Sequence, residues 1–429
     1  MGESGALTVS RGAALYVGAL IGPGVLLVPA LAAQAAGPAS IVAWAALLVL
    51  SAPLAITCAA LGVKHPVSGG VAAYVREGFG EDAAAVTGAW FVTAVVLGGP
   101  AVSLIGGYYV ADLTGSGTGV AVAVGLVMFA VVLAANAFGL RVSSSFQLGL
   151  SAVLVGVIAV AVTVALPSHA GENWTPFAPK GWWAVGSAAN ILMWLFFGWE
   201  AMAQLAGEFR RPAKDLPRAM GLAFAVIAAL YVGLAVATIT VTSGAGAGSK
   251  VPLADLIAVG FGRAGRNATA VLAVALTMGT MNVYMGGTAR LAAALAQEGA
   301  LPGWLGEGAP RSVPRRPLFA LGVLGTVLLL ALASGFGSTA DLIRATSACF
   351  IAVYVLALAS AVRILRGRIR VAAAIALGLV TVVAVFSSRF LLVPAVAALV
   401  SLGLRRLARP PRPAENESPG LLEVDPDPS

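Results

Sequence analysis

Charged side chains are scarce in this sequence. Asp, Glu, Lys and Arg together make up 10% of the 429 residues, whereas hydrophobic residues make up 59%. Soluble proteins carry about 25% charged residues. The composition therefore excludes a water-soluble protein and indicates a chain that lies in a lipid bilayer.

Cysteine and histidine are also rare, with two of each. Cys58 and Cys349 fall in separate apolar stretches, a spacing that predicts neither a metal site nor a disulfide. His65 and His169 lie in different polar connections, whereas a catalytic histidine needs an oriented neighbour. The sequence thus argues against a membrane-embedded enzyme. It also lacks the GxxxxGK[ST] motif of an ATP-driven pump and the repeated filter or rings of like charge of a channel.

Long apolar runs are abundant instead. Each is long enough to cross a hydrocarbon core of about 30 Å, and none shows the alternation of outer-membrane barrel strands. We predict an all-α integral membrane protein with about twelve transmembrane helices. The predicted spans are 10–35, 38–62, 83–110, 118–138, 145–166, 183–206, 217–243, 264–296, 316–336, 339–364, 370–386 and 388–406.

The apolar region, 10–406, is flanked by a short N-terminus, 1–9, and by a tail, 407–429, that is rich in Pro and acidic residues. The composition of the tail predicts disorder. No cleavable signal peptide is expected, because the first apolar segment is too long and no cleavage pattern follows it.

The basic residues fall mainly in the connections on one side of the predicted membrane. With the N-terminus inside, the inner side receives Arg11, Lys64, Arg76, Arg141, Arg210, Arg211, Lys214, Arg218, Arg311, Arg315, Arg316, Arg363, Arg366, Arg368, Arg370, Arg405, Arg406, Arg409 and Arg412. The outer side receives Lys180, Lys250, Arg263, Arg266 and Arg389. This asymmetry predicts that both termini are cytoplasmic. The net charge of +8 therefore belongs to membrane loops and does not indicate a nucleic-acid partner.

Two of the predicted helices contain residues that interrupt helices. The first carries Gly22-Pro23-Gly24 within "ALIGPGVLLVPA", and the sixth carries Gly198 within "NILMWLFFGWEAMAQLAGEF". Interrupted helices at matching positions of two halves are typical of inverted-repeat transporters with the binding site between the halves. We predict one repeat over about 10–166, a second over about 183–364, and two additional helices over about 370–406.

The two interruptions predict a ligand with charges of both signs. Backbone N–H groups of Gly24, Val25 and Leu26 begin a half-helix, and such an end attracts a carboxylate. Carbonyl groups near Phe196 and Phe197 end another half-helix and can accept hydrogen bonds from an ammonium group. An α-amino acid carries both groups, although other small zwitterions satisfy the same pattern.

Further candidates surround the second interruption. Glu200 is a carboxylate near the centre of a span, where such groups are costly and functional by default. It can couple protonation to transport or stabilise the dipole of its half-helix. Trp194 lies one turn before Gly198, over the predicted pocket. In span eight, Asn282 and Tyr284 either line the pocket or hydrogen-bond to neighbouring helices.

Arg344 and Asp341 lie together at the outer end of span ten. We expect a structural pair or an outer gate there rather than a substrate contact.

Three stretches resemble the amino acid–polyamine–organocation (APC) transporters. These are "GPGVLLVPA" in span one, "WLFFGWEAMAQLAGEFRRPAKDLPRAM" over 194–220, and "HPVSGGVAAYVREGFG" over 65–80. The likeness covers residues 8–406 and is strongest to bacterial exporters of methionine and branched-chain amino acids. It implies a LeuT-type 5+5 inverted repeat in a bacterial inner membrane.

The resemblance also implies roles for individual residues. Gly22, Pro23 and Gly24, together with Phe197, Gly198 and Trp199, would contact the substrate; Trp194 would act as a gate and Glu200 in coupling. Proton-coupled members often place a lysine in span five, and this sequence has none there. Proton coupling is our expectation, while sodium stays open as the coupling ion and no cofactor is predicted.

The expected function is transport of neutral, hydrophobic α-amino acids. The alternative is an importer or exchanger of cationic amino acids, polyamines or related amines. A cationic side chain calls for additional acids in the pocket, and Glu200 is the one acid near the middle of a span. The sequence does not fix the direction of transport or the oligomeric state.

Overall fold

The computed structural model describes residues 7–64, 70–140, 143–167, 171–199, 209–242, 248–307 and 313–408. This part of the chain is all-helical, and its β-structure is limited to an isolated bridge between Leu7 and Phe209. The helices are α1 Val9–Leu20, α2 Val28–Ala36, α3 Ser40–Lys64, α4 Gly70–Phe79, α5 Glu81–Leu113, α6 Thr118–Ala137, α7 Ser144–Ala165, α8 Trp183–Leu192, α9 Pro212–Thr242, α10 Pro252–Gln297, α11 Arg315–Ala333, α12 Thr339–Ile364, α13 Gly367–Val385 and α14 Leu392–Ala408.

Ten helices in the described ranges are long and apolar enough to cross a membrane, whereas the sequence predicted about twelve spans. The difference arises at the two interruptions. The first predicted span is divided into α1, of 12 residues, and α2, of 9 residues. The sixth is represented by the shorter apolar segment Trp183–Phe196. Each half of an interrupted helix is too short to count as a span by its length, although the two halves together match a predicted span.

Helix α5 lies at the centre of the bundle. It packs against α6, α10 and α12, and most of its residues are buried. Small residues permit these close contacts, as is common in membrane bundles. A Cβ atom added to Gly107 would lie 2.1 Å from the carbonyl oxygen of Ala121 in α6. The close α5–α6 contact therefore requires glycine at this position.

Charged contacts at one end of the bundle join connections that the sequence assigns to the cytoplasm. Arg76 bonds to Glu81 at 2.9 Å and lies 3.8 Å from Glu298. Arg405 lies 3.1 Å from Asp82. These pairs bring the ends of α4, α10 and α14 together at the same face.

The opposite end carries a second set of ion pairs. Arg266 bonds to Asp112 at 2.7 Å and also to Asp255. Helix α10 bends sharply at Gly262, whose φ is 54° and ψ is −141°. Asp255 and Arg266 lie on either side of this bend. Because Arg266 pairs with Asp255 and with Asp112, it connects the short segment 252–261 to the end of α5.

The outermost helices expose apolar side chains. Leu392, Val396 and Leu399 of α14 are more than half exposed, at 67%, 57% and 71%. Lipid is the environment that suits such a surface.

Candidate functional site

The first interruption separates α1 from α2. Helix α1 ends at Leu20, Ile21 and Gly22 are non-helical, and Pro23–Leu26 form a 3₁₀ turn before α2 begins at Val28. We expected a half-helix to begin near Val25, with its N–H groups free for a ligand. For Val25 this expectation is wrong, because its amide donates to the carbonyl of Gly22 at 3.3 Å. Proline fixes φ at a helical value and so starts the turn early.

The second interruption follows α8. The helix tightens into a 3₁₀ turn over Met193–Phe196, and Phe197 is extended. Gly198 then adopts a φ of 125°, a conformation that side-chain-bearing residues rarely reach. The helix therefore ends at Phe196, where the sequence predicted its end. Glu200, the predicted coupling residue, lies outside the described residues, as do His65, His169 and the tail from 409 onward.

The two interruptions contact each other directly. A Cβ atom on Gly24 would lie 2.7 Å from Cδ2 of Leu195 and 2.9 Å from Cδ1 of Trp194. A Cβ atom on Gly198 would lie 3.0 Å from the carbonyl oxygen of Ala19. Gly24 thus leaves room for the side chains of Leu195 and Trp194, whereas Gly198 brings its backbone against that of α1.

A cavity of about 450 Å³ lies at this junction. Ligand sites are typically clefts of about 300–1,000 Å³, predominantly apolar with a few polar groups. Its lining comprises Gly18, Ala19, Leu20, Ile21, Gly22, Pro23, Gly24, Ala94, Val95, Gly98, Gly99, Val102, Gln147, Trp194, Leu195, Phe197, Gly198, Thr280, Met281, Val283, Tyr284, Met285, Thr346 and Phe350. Among these described residues there is no Asp, Glu, Lys, Arg or His, so the cavity offers backbone groups, hydroxyls and one amide to a ligand.

Seven of the predicted site residues line this cavity. They are Gly22, Pro23, Gly24, Trp194, Phe197, Gly198 and Tyr284. Four others do not: Val25, Leu26, Trp199 and Asn282. The side chains of Val25, Leu26 and Trp199 are fully buried in the core instead, and the ring of Trp199 packs near Phe224 at 6.3 Å.

Asn282 has a structural role in the described contacts. Its side-chain amide donates to the carbonyl of Leu140 at 3.3 Å. The amide of Asn136 in α6 in turn donates to the backbone carbonyl of Asn282 at 3.2 Å. These described contacts join Asn282 to α6 and to the connection that follows α6.

The structure adds residues that the sequence reasoning missed. Thr346, Phe350 and Tyr354 follow each other at i, i+4 and i+8 on α12, and this spacing places them on one face of the helix. The ring of Phe350 lies 4.4 Å from that of Phe197. The amide of Gly198 donates to the Tyr354 hydroxyl at 3.3 Å. The helical spacing of these three residues was the signal that could have found them.

Two polar atoms at the cavity are buried without a hydrogen-bond partner among the described residues. They are Oγ1 of Thr346 and Oε1 of Gln147. Such atoms are rare in folded proteins. Because both residues line the cavity, these atoms are candidates for hydrogen bonds to a bound ligand.

Helix α7 presents neutral groups to the first interruption. Ser151 donates to the carbonyl of Gly18 at 3.4 Å. Gln147 donates to Thr280 at 3.4 Å. Helix α7 therefore meets the site with a hydroxyl and an amide.

Arg344 and Asp341 do not form the expected pair. Arg344 donates to the hydroxyl of Ser187 at 3.0 Å. Asp341 accepts a hydrogen bond from Ser338 at 2.7 Å and lies 3.4 Å from Arg389. Ser338 caps the N-terminus of α12, and the carboxylate of Asp341 bonds to this cap.

The two sides of the cavity differ in burial. Toward α2, Leu26 is fully buried and its carbonyl accepts a hydrogen bond from Tyr109 at 2.8 Å. Toward α1, Ala19 is exposed and Tyr284 is 44% exposed. In the described part of the chain, the cavity is thus covered on the Arg266 side and more accessible on the side of α1.

Ten apolar helices long enough to cross a membrane in the described ranges, with a cavity inside the bundle, are the architecture of a multi-pass membrane transporter. The chain belongs to the amino acid permease family, whose model matches residues 7–406.

Individual relatives agree with this family. The chain is 34% identical over 396 residues to the uncharacterized amino acid permease YecA of Bacillus subtilis, covering 91% of this chain and 93% of that protein. It is 29% identical over 376 residues to the L-methionine/branched-chain amino acid exporter YjeH of Escherichia coli, covering 86% and 88%. Among solved structures, a mutant of the manganese transporter of Eremococcus coleocola is similar in fold, with a TM-score of 0.55, 13% identity and 93% of both chains covered.

Proposed function

We propose that this protein is a secondary active transporter of neutral, hydrophobic α-amino acids, such as methionine and the branched-chain amino acids. One observation carries the proposal: the cavity at the junction of the two interruptions has no ionised side chain in its described lining. A cationic substrate would need a carboxylate there, because a buried unpaired charge is costly. A zwitterion can instead use backbone groups for its charges and apolar surface for its side chain.

The same proposal includes the arrangement of the helices. We infer twelve crossings in a LeuT-type 5+5 inverted repeat, with α13 and α14 added outside it. Counting α1 with α2 as one crossing and the α8 segment as another supports this number. The two interruptions, five spans apart, support the repeat. The inner membrane of a bacterium, with both termini cytoplasmic, is the location that the distribution of Arg and Lys supports.

Proton-coupled export by alternating access is the part of the proposal that depends on Glu200. The neutral contacts of α7 at the first interruption leave coupling to another group. Glu200 follows Gly198 by two residues and is the candidate for it. Similarity to an exporter supports the outward direction. A sodium ion is the alternative coupling ion.

Purified protein in liposomes tests this proposal. The vesicles are loaded with radiolabelled methionine or leucine, and a pH gradient or a sodium gradient is imposed. We expect flux driven by the pH gradient and lost in Glu200→Gln. Flux driven only by sodium, or an unchanged pH dependence in Glu200→Gln, would contradict proton coupling. Flux of lysine or polyamines in place of neutral amino acids would contradict the substrate class.

A further inference from the structure

Helix α9 carries a tyrosine that touches both interruptions. The hydroxyl of Tyr231 lies 2.9 Å from the carbonyl oxygen of Leu195 and 3.3 Å from that of Leu20. Leu20 is the last residue of α1, and Leu195 lies in the last turn before the second interruption. One side chain of an unbroken helix thus contacts both broken ones.

Both carbonyls lie where a helix ends. That of Leu20 also accepts a hydrogen bond from the amide of Gly22 at 3.1 Å, so the shorter contact to Leu195 is the one that depends most on the tyrosine. The last carbonyl groups of a helix have no partner within it, and neither lipid nor an apolar core can supply one. Tyr231 is fully buried. At the carbonyl of Leu195 it therefore supplies a hydrogen bond that water would otherwise have to make.

The ring of Tyr231 is held in place by two other aromatic rings. It lies 5.2 Å from the ring of Trp44 in α3 and 5.4 Å from that of Phe196, both in edge-on geometry. Trp44 and Phe196 are themselves 6.2 Å apart and fully buried. The hydroxyl cannot rotate away from the two carbonyls without moving this cluster.

A tyrosine hydroxyl has a single proton to donate. Two carbonyls at 2.9 Å and 3.3 Å therefore share it, with the shorter contact to Leu195. The hydroxyl therefore links the ends of the two interrupted helices. When one helix end moves, the hydroxyl can keep its hydrogen bond to the carbonyl of the other.

We propose that Tyr231 is a positioning residue that sets the spacing of the two interruptions and thereby the geometry of the cavity. The inference rests on the proposed function only in its second readout, which uses substrate. The first readout concerns the chain alone.

The test compares Tyr231→Phe with Tyr108→Phe in full-length protein in lipid nanodiscs. Tyr108 is the matched control, since its buried hydroxyl bonds to Thr339 at 2.7 Å and it lies outside the cavity lining. Hydrogen–deuterium exchange is measured at residues 20–25 and 193–199 without substrate. We expect about tenfold faster exchange in Tyr231→Phe, the scale of one lost buried hydrogen bond, and wild-type exchange there in Tyr108→Phe.

The second readout is the affinity for radiolabelled methionine, with thermal unfolding measured in parallel. We expect Tyr231→Phe to bind about tenfold more weakly while its unfolding temperature stays close to that of Tyr108→Phe. Unchanged exchange at both segments would overturn the proposal, as would an equal loss of affinity in the two variants. If Tyr231→Phe does not fold while Tyr108→Phe does, the proposal is also overturned, because the Tyr231 hydroxyl is then needed for folding and not for positioning the interruptions. If the wild type binds no neutral amino acid, the proposed function fails and the exchange data still decide the role of Tyr231.

Discussion

Replacing Gly24 with alanine would insert one methyl group between the two interruptions. The new Cβ would lie 2.7 Å from Cδ2 of Leu195 and 2.9 Å from Cδ1 of Trp194, closer than carbon atoms pack. The indole must rotate or the two half-helices must separate. Overpacking of this kind costs about 1–3 kcal/mol, which corresponds to a change of roughly 5- to 150-fold in an equilibrium constant.

We therefore expect Gly24→Ala to reduce transport of methionine by about 5- to 150-fold while the protein still reaches the membrane. The assay is flux into liposomes at matched protein content. Gly378→Ala provides the control, because Gly378 is exposed on α13 and an added Cβ there meets nothing within 4 Å. Wild-type flux in Gly24→Ala would refute the claim that the two interruptions are in tight contact.

Other predictions follow from the same contacts. Gly198→Ala is expected to abolish flux and lower the unfolding temperature, since its φ of 125° and the nearby carbonyl both oppose a side chain; an unchanged melting curve would contradict this. Thr346→Val should weaken methionine binding about three- to tenfold without loss of stability, because its buried hydroxyl lacks a partner in the described chain. A matching loss of stability would assign that hydroxyl to the fold. Arg266→Met should destabilise the protein by about 1–3 kcal/mol, because Asp112 and Asp255 lose their shared partner. This cost is smaller than that of breaking a fully buried pair, since the three side chains are partly exposed. Adding Asp255→Asn should restore part of that stability in thermal unfolding.

The membrane class, the all-helical fold and the family follow from local features of the chain. An apolar run long enough to cross a bilayer can be recognised without tertiary information, and Gly22-Pro23-Gly24 interrupts a helix whatever surrounds it. Gly198 was a weaker signal, because glycine also occurs in many uninterrupted membrane helices. The structure places the end of the helix where that glycine predicted it.

The polar residues around the cavity were harder to predict from the sequence, because their placement depends on packing between distant segments. Asn282 and Tyr284 are two residues apart on α10 and so point in different directions: the first bonds to the connection after α6 and the second faces the cavity. Thr346 could have been found from its helical spacing with Phe350 and Tyr354, whereas nothing local distinguishes Tyr231 from a packing residue. The importance of Tyr231 appears only when α9 is placed beside the interruptions.

The central claim is that backbone groups at the two interruptions hold the carboxylate and the ammonium group of one amino acid. Competition against radiolabelled methionine binding to the purified wild-type protein tests it most directly. The competitors are unlabelled methionine, its decarboxylated amine and its deaminated acid, which share one side chain. We predict that methionine competes and that each truncated compound competes at least about a hundredfold more weakly, since losing a charge-assisted hydrogen bond costs about 1.5–3 kcal/mol and leaves buried backbone groups unpaired. Equal competition by the amine or the acid would contradict the account.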